Sequence, residues 1–131
     1  MDERTVRTLA TALGLGSIAF GLAPLLAPRS CARLCGVPLA EAPAAAVVVR
    51  SVGVRDAVIG MGLWSAASHG GNYAPWLLAR GLCDLGDSLA IALALAAGER
   101  NPRFLALGAV AVGAAAGGLA LRRAAPARPA H

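Results

Sequence analysis

Two stretches of this chain are apolar and close to the roughly 20 residues that cross about 30 Å of hydrocarbon as a helix, yet each carries three charged side chains. Arg50, Arg55 and Asp56 lie in the first; Arg80, Asp84 and Asp87 lie in the second. A charged Arg or Asp at the centre of an inserted helix costs roughly 2.5–3.5 kcal/mol, whereas each Leu, Ile, Val or Phe returns only about 0.3–0.6 kcal/mol. Neither stretch is comfortable alone in lipid, so each needs the other. Charges at such positions are functional candidates by default.

The surrounding composition narrows the class. Apolar residues make up 57% of the chain and charged residues 15%, against roughly 45–50% and about 25% in an ordinary soluble domain. Aromatics are scarce at 4%, so the apolar mass is mostly Ala, Leu, Val and Gly, a mixture that lets helix backbones approach closely in lipid. The net charge of +5 comes entirely from arginine, since the chain has no lysine. These arginines are spread over helix ends, loops and helix interiors instead of forming a basic stripe, which excludes nucleic acid as a partner.

Four apolar segments are predicted within a single integral membrane domain, residues 1–131. They cover 8–27, 46–68, 76–97 and 102–121. The fold class is therefore all-α, a four-transmembrane-helix bundle with both termini on the same side. Ser30 to Gly36 reads as a short interfacial helix, Pro38 and Pro43 mark an irregular connection, and residues 124–131 read as a disordered tail. Pro75 and Pro102 sit where a first-turn proline is tolerated. Trp64, Tyr73 and Trp76 bracket the glycine-rich loop between spans two and three, as an aromatic belt would. The first segment is too long for the apolar core of a signal peptide, and Pro28–Arg29 interrupts the cleavage region, so it reads as a retained helix. The terminal side carries five arginines and the opposite side four, which tips only slightly towards cytoplasmic termini.

Joined by a short loop, spans two and three must run antiparallel. Folding about Gly71–Asn72 brings Arg55 and Asp56 level with Asp87, with Asp84 about one turn away. Arg80, Asp84 and Asp87 share one helix face, because three- and four-residue spacings stack. Arg55 and Asp56 point in different directions, so one of the two is expected to face the cluster; Arg50, nearer its helix end, is free to snorkel. The binding or ion-pair set is thus Arg55, Asp56, Arg80, Asp84 and Asp87. It supports two readings: an ion-pair network that locks two helices together, or a midplane pocket for a small solute or proton, with Asp84 and Asp87 titrating against Arg55.

No catalytic constellation, metal set or cofactor motif accompanies these charges. Cys31 and Cys35 are four apart without a second pair or a nearby His, and Cys83 stands alone, so all three read as small apolar filler. His69 is a single loop histidine. Gly14, Ser17 and Gly21 in span one, Gly53, Ala57 and Gly60 in span two, and Ala109, Gly113 and Gly117 in span four form small-residue stripes. They are packing seams within the bundle or between copies, which leaves room for a homo-oligomer beside the lipid bilayer itself.

Three runs carry a resemblance: Gly-Val-Arg-Asp-Ala-Val-Ile-Gly at 53–60, Leu-Leu-Ala-Pro-Arg at 25–29 and Leu-Cys-Asp-Leu-Gly-Asp at 82–87. Over most of residues 8–121 the chain resembles a domain-of-unknown-function family of small four-helix bacterial membrane proteins. That resemblance implies a fold and a multi-pass location in the bacterial inner membrane, and no activity. Proteins similar to DoxX share the size and span count and are distant relatives at most. Small multidrug-resistance transporters carry a carboxylate in the first helix, whereas residues 8–27 here have none. The sequence thus points to a non-enzymatic membrane protein of structural or accessory role, with a small-solute or proton-coupled carrier as the alternative.

Overall fold

The computed structural model describes residues 1–37 and 42–125. These form five helices: α1 (Glu3–Leu26), α2 (Pro28–Cys35), α3 (Pro43–Ser68), α4 (Ala74–Ala96) and α5 (Pro102–Ala124). The four long helices match the four apolar segments. The short helix expected at Ser30 to Gly36 is present as α2, and Pro43, expected in an irregular connection, instead opens α3. Pro38 and the tail beyond Ala125 lie outside the described residues.

Local chemistry sets the helix ends. Asp2 caps α1, accepting the Thr5 N–H at 3.1 Å, and that hydrogen bond holds the Asp2 carboxyl below the ordinary aspartate value. At the other end Ala27 precedes Pro28 and leaves the helical region, with φ −132° and ψ 59°, as the steric demand of a following proline requires. α2, α3 and α5 each open on a proline. α2 closes on Gly36 at φ 73°, the left-handed cap that a Cβ disfavours. Asn101 then ties α2 to α5: its side-chain amide donates to the Gly36 carbonyl at 2.9 Å, and its carbonyl oxygen caps the Arg103 N–H at 3.0 Å.

The long helices pack as two close pairs, α1 along α3 and α4 along α5, with looser contact between α3 and α4. Small residues explain the first pair. A Cβ added at Gly21 would lie 2.6 Å from the Ala57 nitrogen and the Gly53 oxygen, and one at Gly60 would lie 2.7 Å from the Gly14 oxygen. The stripes of spans one and two are thus one seam inside the chain, with backbone against backbone. In the second pair, Gly81 faces Leu119, and Gly118 faces the Leu77 carbonyl. The predicted stripe of α5 has a different fate: Ala109, Gly113 and Gly117 are exposed, and nothing lies within 4 Å of a Cβ built at either glycine.

A small apolar core closes one end of the bundle. Val6, Ala10, Leu63, Ala67, Tyr73 and Leu77 are buried together, with Leu121 and Trp76 packed against them. Tyr73 therefore belongs to this core and not to an outward belt, while the Trp76 ring lies over Gly62. Arg7 covers the cluster, donating to the Ala67 carbonyl at 3.1 Å and to Glu3 at 3.0 Å, with its guanidinium 5.7 Å from the Tyr73 ring centroid. Elsewhere large apolar side chains face outward: Phe20, Val47, Leu89, Leu105 and Val110 are each at least 60% exposed. By length and composition, α1 and α5 are each able to cross a membrane, and only 11% of the most apolar window of α5 is buried.

Candidate functional site

The wide spacing of α3 and α4 is filled by charge. Arg55 on α3 reaches Asp87 on α4 through two parallel hydrogen bonds, Nη1 to Oδ1 at 2.9 Å and Nη2 to Oδ2 at 2.7 Å. This fork-on-fork geometry is the strong form of a guanidinium–carboxylate pair. The same guanidinium turns back on its neighbour, donating from Nε at 3.1 Å and from Nη2 at 3.0 Å to Asp56 Oδ1. Arg80 repeats the pattern within α4, holding Asp84 through Nε at 3.0 Å and Nη2 at 2.8 Å. Its Nη1 lies 3.5 Å from Asp56 Oδ1.

The five side chains therefore alternate in sign, Asp87–Arg55–Asp56–Arg80–Asp84, and cross between the helices twice. Burial grades along this chain. Asp56 and Asp84 are 2% and 3% exposed, and the Arg80 side chain is 12% exposed. Arg55 and Asp87 lie nearer the surface, at 30% and 39%. Ser88 donates to the Asp84 carbonyl at 2.7 Å within the helix. The Arg80 Nη1 atom is buried without a hydrogen-bond partner among the described residues, its nearest anion being Asp56.

All five residues singled out from the sequence meet here, and one expectation is corrected. Arg55 and Asp56 both join the cluster, because the long arginine stem curls back over a carboxylate that its helix position alone would direct elsewhere. Arg50 stands apart, reaching the Leu25 carbonyl at a long 3.5 Å. Without Arg50 the cluster holds two guanidiniums and three carboxylates, a formal charge of −1.

Among the described residues no three His, Cys, Asp or Glu side chains gather as a metal site. The three cysteines are free and half-buried; burial, and then the neighbouring Cys31, push the Cys35 thiol up from its ordinary value. His69 is exposed and bonds through Nδ1 to the Ser65 carbonyl at 3.0 Å.

Both helices of the cluster and the whole α1–α3 seam from Gly14 onward lie within residues 14–122, the stretch matched by one protein-family profile. The chain belongs to that family, DUF4267, a domain of unknown function. The DUF4267 match covers all five charged residues of the cluster, and also α2. No curated protein and no solved structure matches the chain.

Proposed function

We propose that this DUF4267 protein is a multi-pass protein of the cell membrane in which α1, α3, α4 and α5 all cross, with both termini on one side, and that its role is structural or accessory and not enzymatic. One observation carries this reading: the paired bridge of Arg55 to Asp87 between helices that otherwise touch little. Two helices that could not enter lipid separately would do so as a unit in which every charged side chain of the cluster has a partner of opposite sign. Each of the five side chains is paired with an opposite charge, which supports a locking role over chemistry.

The outward apolar side chains of every long helix favour the bilayer as the surrounding partner, since soluble monomers rarely expose contiguous apolar surface on this scale. Dispersed arginines again speak against nucleic acid. The exposed Ala109–Gly113–Gly117 stripe of α5 is the face open to a second copy, because small residues allow close helix approach.

The carrier reading keeps one supporting observation. The cluster runs from Arg55 and Asp87, each about one-third exposed, inward to the sealed Asp56, as a path from solvent would. Thiol labelling separates the two readings. In a variant with Cys31→Ala and Cys35→Ala, a membrane-impermeant reagent is expected to leave Cys83 unlabelled until denaturation; labelling in native membranes would bring water to Asp84 and favour the carrier. In a chain also lacking Cys83, single cysteines at Gly71 and Glu99 are expected to label from opposite faces. Labelling from one face would overturn the four crossings.

A further inference from the structure

A second feature lies away from the charge cluster. Where α1 turns into α2, a cavity of about 260 Å³ is lined by Ala27, Pro28, Arg29 and Ser30 on one wall and by Ala46 and Arg50 of α3 on the other. Among the described residues its charged lining consists of two arginines, with no carboxylate. Both arginines are exposed, and among the described residues no carboxylate pairs with either. Arg29 and Ser30 occupy the first turn of α2, which has no side-chain cap. The N–H groups of a first helical turn lack intrahelical acceptors and, with the helix dipole, favour an anion.

The neighbourhood selects the kind of anion. Leu26, beside the cavity wall, is 82% exposed, Leu34 on α2 is 76% exposed and Val47 on α3 is 64% exposed. A free anion has no use for such side chains, whereas a molecule with an anionic head and apolar tails is matched at both ends. The position agrees, because the corner joins the end of one long helix to the start of another, where the interface would lie.

We propose that this cavity binds the phosphodiester headgroup of an anionic phospholipid. Arg29 and Arg50 hold the phosphate oxygens, and the acyl chains run along Leu26, Leu34 and Val47. Arginine suits the task because its planar fork presents paired donors to phosphate. The proposal rests on the membrane reading above, and its test is arranged so that the two fail separately.

The test uses the full chain purified in a neutral detergent and titrated with phosphatidylglycerol, with phosphatidylcholine of the same acyl chains, or with inorganic phosphate. Native mass spectrometry counts the adducts. The wild-type protein is expected to bind phosphatidylglycerol at least about tenfold more tightly than phosphatidylcholine, and Arg29→Gln with Arg50→Gln to remove most of that preference, a tenfold change being about 1.4 kcal/mol. The charge-matched control, Arg122→Gln with Arg123→Gln at the opposite end of the bundle, is expected to keep it. Equal loss in the control would reduce the effect to net charge and overturn the site. Inorganic phosphate displacing the lipid at equimolar concentration would overturn the lipid assignment in favour of a free-anion site. The wild-type lipid comparison needs no variant, so an unfolded mutant does not rescue the idea: absence of a headgroup preference ends it. Alkaline extraction of native membranes reports on the underlying reading alone, because release of the chain into the supernatant would refute membrane integration whatever lipid it binds.

Discussion

The α1–α3 seam makes a prediction whose sign reverses within one helix. An alanine at Gly21 would place its Cβ 2.6 Å from backbone atoms of Ala57 and Gly53, where ordinary contact begins near 3.4 Å. Both obstacles are main chain in the middle of a helix, so the side chain cannot be accommodated by a rotamer change and the helices must part. A radial gap of about 0.5–1 Å forfeits roughly a quarter to a half of each dispersion contact along the seam, and overpacking of this kind costs about 1–3 kcal/mol. Alanine returns about 1 kcal/mol of helix propensity relative to glycine, leaving a net loss of up to about 2 kcal/mol. Gly16 is the control, since nothing lies within 4 Å of its built Cβ; Gly16→Ala keeps the propensity gain without the clash. Unfolding in mixed micelles, followed by tryptophan fluorescence, is expected to rank Gly16→Ala at or above wild type and Gly21→Ala below it. Equal stability of the two variants would refute the close seam.

Other expectations follow from single contacts. Arg80→Gln leaves Asp56 and Asp84, both nearly sealed, without their shared cation. It is expected to lower stability by about 3–5 kcal/mol, the usual cost of stranding a buried charge, whereas Arg100→Gln changes it by less than about 0.5 kcal/mol; equal yields of folded protein from the two would contradict this. The Asp2 cap gives a pH dependence of definite sign. Its folded-state value lies below the ordinary 3.8 because the carboxylate accepts from Thr5, so the cap is intact above that pH and is lost as pH falls through the lowered value. The Thr5 amide resonance is expected to titrate with a midpoint below 3.8, and Asp2→Ala to abolish the titration; a midpoint at or above that value would rule the cap out.

Much of this architecture was legible because its causes are local. Apolar length marked the four long helices, and the stretch Ser30 to Gly36 marked the short one, which begins two residues earlier at Pro28. The antiparallel register about Gly71–Asn72 was enough to bring Arg55 to Asp87, since chain connectivity alone sets their common depth. Spacing by three and four likewise paired Arg80 with Asp84. What escaped was whatever depends on a partner surface. The stripe Ala109–Gly113–Gly117 looks as good a seam as Gly53–Ala57–Gly60, yet α5 turns Ala115 and Gly118 towards α4, because Leu77 and Gly81 fix the contact and no pattern within α5 records them. Tyr73 reads as a belt residue from its loop position and is buried because Val6 and Leu63 converge on it. The turn of Arg55 onto Asp56 depends on side-chain torsions, which helix periodicity does not describe. The cavity at Arg29 and Arg50 joins residues 21 apart in sequence, and nothing in either segment marks the other.

The bridge between α3 and α4 holds the two halves of the bundle together, and a double-mutant cycle on Arg55 and Asp87 tests it most directly. Arg55→Met and Asp87→Leu are made singly and together, and unfolding is measured in lipid bilayers. Arg55→Met strands Asp87, and Asp87→Leu leaves Arg55 with Asp56 as its one remaining partner in the cluster, whereas the double change replaces the pair with apolar side chains suited to lipid. The double variant is expected to lose less than the two singles summed, with a coupling of at least about 1.5 kcal/mol, the lower end for close charge pairs. Additive losses would show that Arg55 and Asp87 act independently, and would contradict a network that holds the two helices together.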